Sequence, residues 1–265
     1  MQKRCVFWKA LWIAIAFSFC SFSATAKKNS PLSDEESAAI TQRGRMLAEY
    51  ESAAGKALKA VMATNPDPGT MDHYIARKGP EGWVVAFGRF NEQHDKFLLV
   101  VEAIPGTDPQ VYALKKEDPV KEDAGFFFFA AKAADTATHE FRGEKRPYHV
   151  AVLPAASNQM YVYLFPAPDS NAVYPLGGDV RYLVSADGSS IVERRQLHKS
   201  IIESRGGVPK GAKVVGGYHT HILSDVPEDT DVFYVLMRKP PGPEFVAAGG
   251  HAYEIQTDGT IRVQK

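Results

Sequence analysis

The sequence predicts an α+β protein with an N-terminal helix, an antiparallel β-rich middle region and a C-terminal domain of mixed α/β character. Three observations predict this class. A capped amphipathic segment comes first, short apolar segments separated by turn residues follow, and a strand, a helix and a hairpin end the chain. With 45% hydrophobic and 23% charged residues among 265, the chain can bury a core. This composition excludes a disordered chain, a collagen-like fibre and a polytopic membrane protein.

The first 26 residues predict an export signal that is cleaved near Ala26. A basic start is followed by a short apolar run at 10–22 and by the triplet Ala-Thr-Ala, the pattern that signal peptidase reads. A membrane anchor would need about 20 apolar residues, which is longer than this run. A lipoprotein would need a small residue just before Cys20, where the sequence has Phe-Ser-Phe, so lipidation at Cys20 is the minor alternative. We therefore expect a periplasmic or secreted bacterial protein, with no membrane anchor after cleavage.

The charge balance excludes some partners. The full chain has 31 basic and 31 acidic residues, which gives no indication of binding to nucleic acid or to anionic membranes. Cleavage after Ala26 would remove three basic residues and both cysteines, Cys5 and Cys20, and would leave 28 basic against 31 acidic residues. The mature protein would then have no disulfide and no cysteine metal ligand, so its stability would come from its core.

A helix is predicted for residues 33–61. Ser33 and Glu36 have the spacing of a capping box, and the acidic residues between them are favourable at a helix N-terminus. An apolar stripe at three- and four-residue multiples follows, formed by Ile40, Leu47, Tyr50, Ala54, Leu58 and Val61. The Pro- and Gly-rich turn at 65–69 ends the helix.

Short strands are predicted beyond residue 69, with turn residues between them at the spacing of an antiparallel meander. The predicted strands are 83–90, 97–104, 110–114, 125–131, 149–153 and 160–165. We interpret the four phenylalanines at 126–129 as a buried strand rather than an exposed aromatic binding surface. The isolated histidines are interpreted as surface or core residues, and they are His73, His94, His139 and His149. Residues 27–170 are therefore a region of unknown function.

A Pro- and Asp-containing turn at 166–171 predicts a boundary, with a C-terminal domain at 171–265. Within that domain, segments 180–185 and 191–198 flank an Ala-Asp-Gly turn and predict a hairpin. The segment 214–221 reads Val-Val-Gly-Gly-Tyr-His-Thr-His. It predicts a strand that carries two histidines near its end, with two glycines that leave room around it.

These histidines, His219 and His221, predict a zinc site. Side chains two residues apart on a strand point to the same face, so both imidazoles can bind one ion. Asp231 is the best third ligand, because Pro227 fits the first turn of a helix and places Asp231 one turn into it. Two imidazoles, one carboxylate and a water form a catalytic zinc arrangement. Weaker competitors for the third position are Asp225 and Asp229.

Other interpretations of the histidine pair are open. Two histidines around a threonine also occur without a metal, where one imidazole is simply hydrogen-bonded in a strand. Two other metal-site patterns fit poorly. A cupin would have a glutamate sooner after the second histidine, and a metallo-β-lactamase would have an aspartate and a histidine directly after the pair.

The order strand, His-x-His, short loop, Pro-x-x-x-Asp, helix and strand resembles the JAB/MPN (JAMM) metalloprotease family over about 85 residues, 179–265. That family has His-x-His followed by Pro-Ser-x-x-Asp at the start of a helix, and Pro227 and Asp231 match its Pro and Asp. The helix at 232–237 and the hairpin at 252–263 also resemble the family's C-terminal half. The resemblance implies a zinc hydrolase of peptide or isopeptide bonds, with the zinc held by the three ligands named above.

Two residues depart from the family's catalytic pattern. Glu228 replaces the serine that assists the transition state, and it would line the site from the helix side. The family's general base is a glutamate on a strand about 40–50 residues upstream, where this chain has Asp179, 40 residues before His219. We therefore expect Asp179 to be the base, and the alternatives are Glu193 and Glu203.

Three functions are consistent with the sequence. The first is an exported zinc hydrolase acting on a peptide or protein substrate, with Asp179 and Glu228 as catalytic residues. The second is a metal-binding but catalytically weak or inactive JAB-like domain used for recognition or structure. The third is a binding module without metal, in which the histidines are packed. Metal content separates the third from the others, and peptide hydrolysis separates the first from the second.

Overall fold

A computed structural model of the protein describes residues 30–67, 69–108, 110–168, 173–203 and 215–264. These residues form helices and mainly antiparallel sheets, which confirms the predicted α+β class. The export signal predicted for residues 1–26 lies outside the described residues. Within the described part of the chain, no helix has both the length and the apolar character that crossing a membrane requires.

Helix α1, Asp34–Met62, covers the segment predicted to be helical. The Glu36 backbone N–H donates to the Ser33 hydroxyl at 3.3 Å, and the Ser33 backbone N–H donates to the Glu36 carboxylate at 3.2 Å. The predicted capping box is therefore present. Five of the six stripe residues are buried, whereas Leu58 is 41% exposed and Ala57 is buried beside it.

The first part of the predicted meander is a four-stranded sheet in the order β1-β2-β3-β4. Its strands are β1 His73–Gly79, β2 Gly82–Phe90, β3 Phe97–Pro105 and β4 Tyr112–Asp123. All neighbouring strands pair antiparallel, as the sequence predicts.

The segment at 125–131 is helical, and its prediction as a buried strand is wrong. Helix α2, Phe126–Glu140, begins inside the run of phenylalanines and continues through an alanine-rich stretch. Alanine has the highest helix propensity, and the alanines at 130, 133, 134 and 137 are buried at helical spacing. Phe127 and Phe128 are also buried, so they are core residues of a helix.

The second sheet has the order β5-β6-β8-β9 and is antiparallel throughout. The strands that follow α2 are β5 Tyr148–Pro154, β6 Met160–Pro166, β7 Leu176–Gly177, β8 Val180–Val184, β9 Ile191–Gln196 and β10 Ile201–Ile202. The short strands β7 and β10 pair with each other. The sheet takes two strands from each side of residue 170, so the boundary predicted there lies within one sheet.

Helices α1 and α2 cover opposite faces of these two sheets. In β2, Val85 packs in the same core as α1, whereas the next residue, Ala86, packs with α2. In β6, Tyr163 packs with α1 and Val162 packs with α2. Alternate residues of a strand point to opposite faces, so each of these sheets contributes core residues from both of its faces.

The C-terminal part contains a strand, a helix and a three-stranded meander, as the sequence predicts. The elements are β11 Gly217–Thr220, α3 Asp229–Met237, β12 Glu244–Ala248, β13 His251–Ile255 and β14 Ile261–Gln264. β11 pairs parallel with β12, and the other pairs are antiparallel. Helix α3 packs closely on α1 at Gly44, where an added Cβ would lie 2.5 Å from the Cβ of Val232. This contact joins the N-terminal helix to the C-terminal part.

A buried ionic cluster lies at the contact between α1 and α3. Asp229 is fully buried, and its carboxylate accepts hydrogen bonds from Arg43 of α1 at 2.9 Å and from Tyr163 of β6 at 2.8 Å. Arg181 of β8 also donates to it. The first turn of α3 is thereby fixed against α1 and the second sheet.

Candidate metal centre

Four side chains converge next to the first turn of α3. They are His198, His219, His221 and Asp231, and one ligand atom from each lies within 4.8 Å of the others. The structure therefore brings together the three residues predicted to bind metal and adds His198 as a fourth. None of these side chains is more than 9% exposed, and that of Asp231 is fully buried.

The Nε2 atoms of the imidazoles face the carboxylate of Asp231. His198 Nε2 lies 3.0 Å from His221 Nε2 and 3.0 Å from Asp231 Oδ1. His219 Nε2 lies 3.1 Å from His221 Nε2 and 3.0 Å from Asp231 Oδ1. A tetrahedral zinc with bonds near 2.0–2.1 Å keeps its ligand atoms about 3.3–3.4 Å apart. A small outward adjustment of these atoms is enough to accommodate the ion.

Each imidazole is held at Nδ1 by an acceptor outside the cluster. The contacts are His198 Nδ1 to Asp179 Oδ1 at 2.8 Å, His219 Nδ1 to Glu244 Oε1 at 2.9 Å, and His221 Nδ1 to the carbonyl oxygen of Val226 at 3.0 Å. An acceptor at this position favours the tautomer with its proton on Nδ1, which leaves the Nε2 lone pair for a metal. Metal-binding histidines are almost always oriented in this way.

The electrostatics of the cluster favour positive charge beside Asp231. Burial raises the pKa of Asp231, but the charge of His198 and the hydrogen bonds of the three histidines outweigh burial and hold this pKa well below its ordinary value. Burial lowers the pKa of His219, but hydrogen bonds to Asp231 and Glu244 raise it to about 9. A buried, ionised carboxylate surrounded by imidazoles is a setting that a divalent cation satisfies.

Segments far apart in the sequence supply the four residues. His198 follows β9, His219 lies on β11 with His221 directly after it, and Asp231 lies in the first turn of α3. The backbone N–H of Glu228 donates to Asp231 Oδ2 at 2.7 Å and so fixes the carboxylate at the start of the helix. A bound ion would connect the end of β9 in the second sheet, the sheet of β11 to β14, and α3.

The two residues predicted to be catalytic make other contacts. Asp179 is buried and holds His198 from its Nδ1 side, and Glu228 Oε1 accepts a hydrogen bond from Arg195 at 2.6 Å. Burial raises the pKa of Glu228, although Arg195 opposes this shift. The first contact orients His198, and the second pairs the carboxylate of Glu228 with the guanidinium group of Arg195. The role of Asp179 as a base and the assisting role of Glu228 stay predictions.

The weaker candidates lie elsewhere. Glu203 forms an ion pair with Arg146, and Glu193 is exposed on β9. Asp229, a competitor for the third ligand position by sequence, belongs to the ionic cluster between α1 and α3. Asp225 is exposed in the loop before α3.

Sequence reasoning missed His198, although a signal for it exists. The predicted hairpin at 180–198 has Asp179 directly before its first strand and His198 at the end of its second. Antiparallel pairing of Val180 with Gln196 places these two ends side by side. The register of the predicted hairpin would therefore have placed His198 next to Asp179. The contact of Glu244 with His219 has no such signal, because it depends on the parallel pairing of β11 with β12, which are separated in the sequence.

Gly217 makes room for the carboxylate that orients His219. A Cβ at this position would lie 1.9 Å from Glu244 Oε2, so Gly217→Ala must displace Glu244. Loss of such an outer contact typically lowers metal affinity about 10–100-fold. We expect this loss in a competition titration against a chromophoric chelator. Gly242→Ala is the matched control, because a Cβ there meets no atom within 4 Å, and equal affinities of the two variants would contradict the role of Glu244.

No family model, curated protein or solved structure matches this chain. The resemblance to the JAB/MPN family therefore stays a prediction that depends on a few motif residues. The interpretation of the centre depends on its geometry and on the chemistry of its four side chains.

Proposed function

We propose that this protein binds one zinc ion through His198, His219, His221 and Asp231, and that the ion stabilises the folded C-terminal part. The observation that supports the proposal is the convergence of four buried ligand atoms, with neighbouring atoms 3.0–3.1 Å apart. Three imidazoles direct Nε2 towards one carboxylate while each Nδ1 has its own acceptor. Hydrogen bonding among polar core residues does not require this consistent orientation, whereas metal binding does.

The donor set favours zinc among the common metal ions. Magnesium and calcium prefer oxygen ligands, so three imidazoles disfavour both. Imidazole and carboxylate donors suit zinc, which is the common choice for sites of four nitrogen and oxygen ligands, whereas copper(II) and nickel(II) would favour a square-planar or tetragonal arrangement of the same donors.

Four protein ligands support a structural ion rather than a catalytic one. Structural zinc sites are closed by four protein ligands, whereas catalytic sites usually have three and keep one position for water. His198 would fill that position here, and Asp179 holds its ring in place. The protein is then a metal-stabilised, catalytically weak or inactive JAB-like binding or structural domain that is exported.

An exported zinc hydrolase of peptide or isopeptide bonds is the second candidate, and a cavity next to the cluster favours it. The cavity has a volume of about 750 Å³, and its lining includes Gly178, Lys199 and Ile222, the chain neighbours of Asp179, His198 and His221. A substrate in this cavity would lie near the ion. Catalysis would further require that zinc bind a water as a fifth ligand or in place of His198, and that Asp179 turn towards that water.

Metal analysis and a hydrolysis assay test both candidates. We expect one zinc per chain in the purified protein and little in His219→Ala, because that variant loses one of four ligands. If the ion is structural, a peptide library stays intact with the parent protein. If the protein is a hydrolase, the parent cleaves the library and Asp179→Asn retains zinc without cleaving. A parent protein that contains no zinc and does not respond to added zinc contradicts both.

A further inference from the structure

A groove runs along strand β9, away from the face that carries the ionic cluster. Two surface cavities of about 1020 and 750 Å³ form it, and both are lined by Arg194. The first cavity lies between α2 and β9. The second lies between β9, the segment at 141–148 and the apolar pair Ile222 and Leu223, next to the metal centre. The groove therefore follows the strand over its length and ends beside His198 and His221.

Strand β9 is at the edge of its sheet. In the order β5-β6-β8-β9 it pairs with β8, and among the described residues no strand pairs with its outer side. Val192, Glu193 and Arg194 are exposed. An exposed edge presents unpaired backbone donors and acceptors, to which an extended peptide can add as a further strand.

The end of the groove nearest the metal centre is cationic and apolar. Its lining includes Arg142, Arg194 and Lys199 but a single acidic residue, Glu144. In the part of the chain that the structure describes, none of these three cations forms an ion pair with a carboxylate. The apolar pair is also exposed, with Ile222 at 71% and Leu223 at 48%. A chain with balanced overall charge therefore has a local excess of positive charge beside exposed apolar side chains. This excess is confined to the end nearest the metal centre, because Asp135 and Glu140 line the other cavity.

The other end of the groove contains an unsatisfied hydroxyl group. Tyr182 lines the first cavity, lies opposite Arg194 in the β8–β9 register and is fully buried. Its hydroxyl group has no hydrogen-bond partner in the structure. A buried polar group of this kind is costly unless a ligand or water satisfies it. Because less than 1 Å² of the hydroxyl oxygen is accessible, a segment bound in the groove does not contact it.

We infer that this groove binds an extended acidic segment of a partner protein, which adds to the edge of β9 as a strand. Carboxylates of the segment pair with Arg194 and Lys199, and an apolar residue packs on Ile222 and Leu223. An extended segment of six residues spans about 20 Å, which matches the length of β9. A polyanion without a peptide backbone would use the cations but neither the strand edge nor the apolar pair. The inference concerns binding alone and does not depend on the zinc.

The test uses the purified full chain and a fluorescent hexapeptide, Glu-Ser-Glu-Ser-Leu-Val, acetylated and amidated. We expect saturable binding in fluorescence anisotropy, and at least about tenfold weaker binding when both cations are reversed in Arg194→Glu/Lys199→Glu. Lys116→Glu, an exposed cation on β4, is the matched control and should bind like the parent. Replacing the glutamates of the probe by lysines should likewise weaken binding at least about tenfold.

Two further probes test strand addition. N-methylation of alternate residues removes backbone donors from one edge of the peptide, so one of the two alternately methylated probes should lose binding and the other should keep it. Equal binding by both contradicts strand addition. Equal binding by the charge-reversed variant, or tighter binding of a heparin hexasaccharide than of the peptide, overturns the inference. Zinc content, measured on the same samples, reports on the metal centre separately.

Discussion

Replacing Asp231 by alanine is expected to abolish the proposed zinc binding and to unfold the C-terminal part at a much lower temperature. The carboxylate is fully buried and is in contact with all three histidines. Without it, three imidazoles remain buried and must either hold an ion without its one anionic ligand or pack without the carboxylate that faces their Nε2 atoms, with the carboxylates of Asp179 and Glu244 left on the Nδ1 sides of two of them. Removing one partner from a buried charged cluster costs about 3–5 kcal/mol of unfolding free energy, which is about 6–20 °C in Tm for a chain of this size.

Calorimetry with and without a chelator measures this effect. Chelation should lower the Tm of the parent by a comparable amount and should leave Asp231→Ala unchanged, because that variant has no ion to lose. Asp231→Asn keeps the shape and an oxygen for the backbone N–H of Glu228, so it isolates the effect of charge. If the chelator leaves the parent's Tm unchanged, the cluster does not hold a stabilising ion.

The N-terminal helix could be predicted because its signals are local. Ser33 and Glu36 are three residues apart and contact each other in the structure. The start of α2 was mistaken for a strand because four phenylalanines have no period of their own. The decisive signal is the spacing of the alanines that follow, which pack in a layer that only the complete fold creates.

Part of the candidate metal centre was also predictable, because the signals for three of its residues are local in the sequence. His219 and His221 share a strand face by geometry alone, and Asp231 follows from the start of a helix. His198 arrives through the pairing of β8 with β9, and Glu244 through the parallel pairing of β11 with β12. Both residues reach the centre through strand pairing between separate segments, so no single stretch of sequence contains the complete set of ligands and orienting carboxylates.

His198, as a fourth candidate ligand, changes the functional interpretation of the motif. His-x-His and one aspartate supply three ligands, which is the number that leaves a position for water. A histidine supplied by a hairpin 21 residues before His219 would close that position. The motif alone therefore favours a hydrolase, whereas the set of four candidate ligands, which includes His198, favours a stabilising ion.

Asp229, two residues before Asp231, is expected to matter for folding and not for zinc. Its buried carboxylate compensates Arg181, whose side chain is 10% exposed, and Arg43, whose side chain is 27% exposed. Asp229→Asn keeps the shape of the side chain but removes its charge, which leaves two guanidinium groups near each other without a counter-charge. We expect a loss of about 3–5 kcal/mol in the free energy of unfolding, measured by urea denaturation.

Two controls separate this loss from an effect on the metal centre. Asp229→Asn should still contain one zinc per chain, since its carboxylate contacts arginines and a tyrosine rather than the histidines. The triple variant Arg43→Met/Arg181→Met/Asp229→Leu should be more stable than Asp229→Asn, because replacing all three charged members of the cluster by apolar residues leaves no unpaired charge. An Asp229→Asn protein as stable as the parent would show that the cluster does not hold α3 against α1 and β8. Loss of zinc from that variant would instead show that the ionic cluster positions Asp231 through the first turn of α3.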